Sequence, residues 1–368
     1  MRVAMDARKL HDGGIGTYIR GLVGALAVAG PRDEWTVLVD PAHRGGMRWP
    51  KGVREREVHA GKYGLAEHFV VPSAARNAGA ELLHAPHYTL PLGWSGPSVV
   101  SIHDLIHVRF ARFHPPGAGF YARAMAGLAT RRATAVIADS EATKRDIVEL
   151  LGTAPARVRV VPLGVSPRFV PAPVVDVAVF RSDRALPADY VLYVGARKLH
   201  KNLELLVRAW GGMRPGERPP LVLSGPACRA DEPLARLARE LGVERSLAFS
   251  GELHDESALA CLYSGAALLV QPSLAEGFGL PPLEALACGV PVLASDAGSL
   301  PEVLGDAAVF LPPREPAAWA AEILALLADP ARRAILAARG RTRAAPYTWA
   351  RTAAMTRAIY DEVLAKGR

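Results

Sequence analysis

Cysteine is scarce. Cys228, Cys261 and Cys288 are the only three in 368 residues, and they stand far apart among small or apolar neighbours. That spacing excludes a disulfide-stapled scaffold and a cysteine-based zinc site, and predicts small buried hydrophobes. Long apolar runs are missing too: no stretch of about 18 uninterrupted apolar residues is available to cross a bilayer. The opening MRVAMDARK goes straight into a strand and lacks the regions of a secretory signal, so a cytoplasmic protein is expected. Acidic residues are outnumbered, 36 Asp and Glu against 44 Lys and Arg, for a net charge of +8. This balance suits phosphorylated substrates or an anionic membrane surface. Nucleic acid is not expected, because the arginines are scattered, no basic tail exists and no motif interleaves them with aromatics. Finally, there is no Asp-x-Asp pair; the nearest approach is Asp139-Ser140-Glu141. A divalent cation would need clustered carboxylates, so no metal and no other cofactor is expected.

What is present is enough for two cores. A chain of this length, 50% hydrophobic and 22% charged, fits two domains of roughly 150–200 residues. Apolar runs at 3–5, 36–39, 82–84, 98–102 and 135–138 read as strands. They alternate with helical patterns at 17–29, 66–78, 118–132 and 140–151, the last with Ser140 as its N-cap. Residues 161–187 are proline-rich and lack a long periodic segment, which predicts a linker. A second series follows, with strands at 191–194, 221–224, 247–249, 267–270, 290–294 and 307–310, and then a helical tail broken at Pro330 and Pro346. Alternation of this kind implies an α/β protein: two Rossmann-like domains, residues 1–170 and 171–346, with parallel sheets facing a central cleft, and a helix over 347–368. Ligands in such sheets lie beyond the carboxyl ends of the strands.

The most informative stretch is 272–285, PSLAEGFGLPPLEA. A strand precedes it and a helix follows through Pro281 and Pro282, proline being tolerated in the first helical turn. Gly277 and Gly279 let backbone approach a ligand closely, and the helix start suits a phosphate. Glu276 and Glu284 are not anion ligands; they are acceptors for hydroxyl groups on either side of that anion. A phosphate with hydroxyls on both sides describes a nucleotide sugar. After the strand at 191–194 come Arg197 and Lys201, which could neutralise a diphosphate as it leaves. Tyr263, Ser264 and the 251–254 loop lie near enough to frame a base. In the first half, His103 ends a strand beside Asp104 and should face the ligand. His107 does not make it a zinc site, since four residues of extended chain separate the two by roughly 13 Å. The loop at 11–17 carries Gly13, Gly14 and Gly16 without the spacing of the dinucleotide fingerprint.

Taken together, EGFGLPPLEALACGVPVLASDAGSLPEV, VGARKLHKN, HDGGIGTY, SIHDL and VVPLGV resemble glycosyltransferase family 4, in the right order and over nearly the whole chain. The resemblance implies the GT-B fold and a retaining, nucleotide-sugar-dependent transferase. It implies that Glu284 grips the ribose hydroxyls and Glu276 the hydroxyls of the transferred sugar. Backbone N–H groups around Gly277, Phe278, Gly279 and Leu280 would hold the diphosphate, together with Arg197 and Lys201. Gly14, Ile15 and Gly16 would approach that diphosphate from the first domain, His103 would point toward the reacting sugar, and the C-terminal helix would cross back to the first domain. One departure stands out: relatives often place arginine where this chain has Ala196, with Arg197 following.

The resemblance further implies transfer of a hexose, with mannose from GDP-mannose as the first expectation and UDP-glucose or another UDP- or dTDP-sugar behind it. The acceptor would be a glycan or a polyprenyl-linked sugar, with a peripheral contact to anionic membrane through Arg123, Arg131 and Arg132. Neither glutamate is left over as a nucleophile, which favours front-face transfer, with His103 orienting the sugar in its neutral or backbone-coupled form. A nucleotide-sugar 2-epimerase and a non-catalytic nucleotide-sugar-binding protein are the alternatives.

Overall fold

The computed structural model describes residues 1–113, 115–253 and 255–366. The chain divides into two compact units: Met1–Gly164 together with the segment from Tyr347 onward, and Val165–Pro346.

The N-terminal unit is built on seven parallel strands: β1 (Arg2–Asp6), β2 (Glu34–Val39), β3 (Val53–Glu57), β4 (Leu82–Ala85), β5 (Ser98–Ile102), β6 (Ala135–Ala138) and β7 (Val158–Val160). Their order is β3-β2-β1-β4-β5-β6-β7, so the direction of winding reverses between β1 and β4. The central strands β4, β5 and β6 are buried along their whole length, as a sheet covered on both faces requires. Two edge strands escape sequence pattern. β3 reads VRERE and pairs with β2 through its backbone, while Glu55 accepts hydrogen bonds from Gly45 N and Trp49 Nε1, both at 2.7 Å. β7 is only three residues long. Ser140 caps its helix as expected, its hydroxyl accepting from Thr143 N at 3.0 Å.

Helix Trp349–Lys366 belongs to this unit. It packs on helix Gly13–Ala29, where a β-carbon at Gly21 would lie 2.1 Å from the Trp349 ring. Thr352 Oγ1 donates to Pro162 O at 2.8 Å, and buried Tyr360 meets His84. Asp33 ties the helix to the chain start by pairing with Arg357 and, at 2.8 Å, with the amino group of Met1.

The C-terminal unit has six parallel strands: β8 (Val191–Tyr193), β9 (Leu221–Leu223), β10 (Leu247–Phe249), β11 (Leu268–Gln271), β12 (Val292–Ser295) and β13 (Ala308–Leu311). Their order, β10-β9-β8-β11-β12-β13, reverses between β8 and β11. Its core is filled by Trp210 and Trp319, both fully buried, with Leu206, Leu221, Leu268 and Ile323 around them.

Part of the proline-rich stretch is not a linker. Val174–Asp183 is a helix of the C-terminal unit, and the units divide between Gly164 and Val165. Of its valines only Val177 is buried, while Val174, Val175 and Val179 face solvent, so it has no apolar stripe to announce it. The cysteines are also less uniform than expected: Cys288 is buried, whereas Cys228 and Cys261 are half-exposed. No helix among the described residues is long and apolar enough to cross a membrane.

Candidate active site

The turn leaving β8 and the turn leaving β11 meet where the C-terminal sheet reverses, which is where open α/β sheets bind ligands. Backbone and amide contacts hold them together. Leu274 N donates to His200 O at 2.8 Å, and Asn202 Nδ2 donates to Pro272 O at 3.0 Å and Pro313 O at 2.8 Å. Asn202 itself sits at φ +58°, a left-handed conformation that asparagine tolerates better than most residues. The strained turn brings Lys201 over Glu276.

Lys201 Nζ lies 2.8 Å from both carboxylate oxygens of Glu276. Oε1 of Glu276 also accepts from Gln271 Nε2 and Ser273 Oγ, each at 2.7 Å, so Oε2 carries only the lysine. Burial alone would raise this carboxyl; the Lys201 ammonium and the two side-chain hydrogen bonds outweigh burial and hold it below its ordinary value. Glu276 is therefore an oriented carboxylate with one oxygen still able to take hydroxyl donors. The loop after β12 fixes its backbone. Ser299 donates to Glu276 O through N at 3.2 Å and Oγ at 3.1 Å, and a β-carbon at Gly298, φ +62°, would lie 2.7 Å from Glu276 N and O.

Gly279, φ +93°, precedes helix Leu280–Ala287. Pro281 and Pro282 have no N–H, and Leu283 N donates to Gly279 O at 3.3 Å. Positions 281 and 282 of this helix start therefore offer no N–H to an anion. One turn into the helix, buried Glu284 accepts from Tyr263 Oη at 2.8 Å. Burial pushes Glu284 up to about 7, with the tyrosine bond opposing. Tyr263 is itself fully buried, and Ser264 Oγ accepts from Ala172 N at 2.9 Å. Of the 251–254 loop, His254 lies outside the described residues.

Arg197 goes elsewhere. Its Nη1 donates to Pro226 O at 2.7 Å and its Nε lies 3.7 Å from Glu232, so the two basic side chains expected to act as a pair have different partners.

In the N-terminal unit, His103 follows β5 and stacks edge-on against Tyr18, ring centroids 4.7 Å apart. Its Nδ1 is 2.7 Å from Asp139 Oδ2 and its Nε2 is 3.2 Å from Pro86 O. Burial would lower this imidazole, but the Asp139 carboxylate raises it above its ordinary value. A carbonyl on one side and a carboxylate on the other both favour an N–H on the ring nitrogen that faces them. Gly14 is exposed and a β-carbon there would meet nothing, Ile15 is half-buried, and at Gly16 a β-carbon would lie 2.2 Å from Leu10 O. Gly16 thus has a packing reason of its own. Among the described residues, no three His, Cys, Asp or Glu side chains converge as a metal would need.

Sequence reasoning missed Gln271, Ser273, Asp139, Gly298 and Ser299. All but Gly298 are buried polar residues, and all five lie at or just after the carboxyl ends of β6, β11 and β12, the position that should have flagged them.

Residues 12–169 match the family Glycosyltransferase Family 4, and residues 178–343 match Glycosyl transferases group 1. The chain is 32% identical over 279 residues to the O-antigen chain mannosyltransferase B of Escherichia coli, covering 75% of this chain and 73% of that one. It is 33% identical over 394 residues to the D-inositol 3-phosphate glycosyltransferase of Kineococcus radiotolerans, covering 95% and 90%. In fold it is similar to a solved sucrose-phosphate synthase from Thermosynechococcus elongatus, with a TM-score of 0.83, 24% identity and full coverage of both chains. With both units matched and the relatives aligned over most of their length, the chain belongs to glycosyltransferase family 4 and is a glycosyltransferase of the GT-B fold.

Proposed function

We propose that this enzyme transfers a hexosyl group from a nucleoside diphosphate sugar, with mannose from GDP-mannose as the leading donor, to a hydroxyl of a glycan or polyprenyl-linked acceptor, with retention and without a divalent cation. The observation that carries the donor site is the Lys201–Glu276 pair beside buried Glu284, a cation and two hydroxyl acceptors around one helix start. Glu284 takes the ribose hydroxyls, the amides of 277–280 take the diphosphate, and Oε2 of Glu276 takes hydroxyls of the sugar. Lys201 moves from Glu276 toward the phosphates as the donor enters. The acceptor oxygen bonds to the anomeric carbon as the bond from that carbon to the phosphate oxygen breaks, and the acceptor's proton passes to the departing phosphate oxygen. Lys201 steadies the charge that develops there. Arg197, held on Pro226 and Glu232, acts on the diphosphate only after leaving those partners. His103, with both ring nitrogens occupied by acceptors, orients and does not exchange protons.

The names of the relatives support mannose, and the second relative keeps other donors open. A donor panel read by thermal shift decides, because a ligand that binds only the folded state raises the melting temperature by mass action. GDP-mannose should give the largest rise; a larger rise with UDP-glucose or a dTDP-sugar would replace it. NMR of the product's anomeric proton tests retention, and full activity in EDTA tests metal independence. Donor isomerised with no acceptor present would favour an epimerase, and binding without turnover across an acceptor panel would favour a binding protein.

A further inference from the structure

Three neighbouring strands of the N-terminal sheet end on one cluster. β4, β5 and β6 lie side by side, with Ala85 paired to Val100 and Ile102 to Ala138. The residues just past their carboxyl ends are Pro86, His103 and Asp139, and the parallel register sets His103 beside Asp139 on one side of the sheet. Asp139 Oδ2 is 2.7 Å from His103 Nδ1, and Pro86 O is 3.2 Å from Nε2. Thr143 Oγ1 donates to His103 O at 3.2 Å, and the Tyr18 ring meets the imidazole edge to face. The backbone, the ring and both nitrogens of His103 are thus held, while its side chain keeps 15% of its surface exposed.

Stability does not account for Asp139. It is 1% exposed, its Oδ1 has no partner among the described residues, and burial raises its carboxyl above the ordinary value against the opposing pull of His103. A carboxylate buried for the sake of the fold needs both oxygens bonded, because an unpaired buried oxygen costs free energy. Nor is Asp139 the cap of the helix that follows it. Ser140 fills that place for helix Glu141–Leu151, its hydroxyl accepting from Thr143 N. What remains for Asp139 is its bond to His103.

We propose that Asp139 is a positioning residue for glycosyl transfer: by holding His103 at Nδ1, it makes Nε2 the nitrogen that meets a hydroxyl of the transferred sugar. The Nε2 contact is the longer of the two, so the sugar hydroxyl replaces the Pro86 carbonyl while the ring stays anchored on Asp139. A hydroxyl can donate to Nε2 or accept from it, and no proton of the reaction passes through Asp139. The assignment rests on the role given to His103 in the proposed reaction.

The test uses the full chain with Asp139→Asn, His103→Ala and the double variant. Turnover is read as nucleoside diphosphate released from GDP-mannose or UDP-glucose, with methyl α-D-mannopyranoside or water as acceptor. Asp139→Asn should lower kcat by roughly 10–100-fold, with the donor KM within about twofold and the melting temperature kept. Added to His103→Ala, it should cost nothing further, since Asp139 acts only through that ring. Ring nitrogen signals in long-range proton–nitrogen NMR, assigned by their loss in His103→Ala, supply the second readout. Adding donor should move Nε2 and leave Nδ1 in the wild-type chain, and should move both nitrogens in Asp139→Asn. Wild-type kcat in Asp139→Asn, an equal loss with and without His103, or an Nε2 signal that neither donor moves would overturn the proposal. The two failures differ: normal turnover in His103→Ala removes the role of His103 and this proposal with it, whereas a slow His103→Ala beside a normal Asp139→Asn removes this proposal alone.

Discussion

At the scale of single residues, Glu276, Glu284 and Lys201 stood out in the sequence one by one, the glutamates as hydroxyl acceptors and the lysine as a phosphate ligand, but the pairing of Lys201 with Glu276 did not. Their supports were not legible, because whether Gln271 and Ser273 reach Glu276 depends on the path of a four-residue turn. Two predictions follow from this geometry. Lys201→Ala should lower turnover by about 10²–10³-fold, the usual loss when one group stabilising transition-state charge is removed, with the fold retained because Gln271 and Ser273 still hold Glu276. A folded Lys201→Ala enzyme with near-normal kcat would sink the phosphate role. Glu284 makes a pH prediction. Its folded-state value of about 7 lies above that of an exposed glutamate, so the folded protein binds the extra proton between roughly pH 4.5 and 7 and loses that contribution to stability as pH rises through 7. If Glu284 holds the ribose as proposed, donor binding runs the opposite way, since a carboxylate can accept from two hydroxyls and the protonated acid cannot do so as well. Donor affinity, measured by calorimetry with an intact nucleotide sugar, should therefore strengthen through pH 7. Tyr263→Phe, which removes the bond opposing burial, should move that midpoint upward; an unmoved midpoint would mean Glu284 is not the titrating group.

At the scale of elements, buried parallel strands were readable as apolar runs, and β5, β6 and β10 were found at the ends expected. What escaped was polar on both faces, as β3 is, or apolar toward solvent, as helix Val174–Asp183 is; neither carries the period that burial imposes. The glycines of the first loop show the same division between what packing requires and what it leaves open. A β-carbon at Gly16 collides with Leu10 O at 2.2 Å, whereas one at Gly14 meets nothing. Gly16→Ala should lower the melting temperature by several degrees, and Gly14→Ala should leave it within a degree or two, since alanine is the better helix former there. Equal melting of the two variants in circular dichroism would mean the loop relaxes freely around Leu10. At Gly298 collision and left-handed φ coincide, so Gly298→Ala should displace Glu276 and weaken donor binding more than Gly14→Ala does.

At the scale of the whole molecule, the two units differ in how the chain builds them. The C-terminal unit is one continuous segment with its own core around Trp210 and Trp319, while the N-terminal unit is completed only by the helix Trp349–Lys366. That helix buries Ile359, Tyr360 and Val363, worth roughly 1.5–3 kcal/mol each, against a domain stability on the order of 5–15 kcal/mol. Losing it also strips Asp33 of Arg357 and leaves His84 without Tyr360 in the middle of the sheet. The sum is comparable with the whole stability of the unit. Residues 165–346 expressed alone should thus melt cooperatively and give a nucleotide-induced rise in melting temperature. Residues 1–164 alone should show the exposed apolar surface and missing near-ultraviolet dichroism of a loosened state, and a synthetic 347–368 peptide should restore a cooperative transition. A fragment 1–164 that melts sharply without the peptide would show that the sheet and helix Gly13–Ala29 suffice, and that the C-terminal helix is an addition to a core already closed.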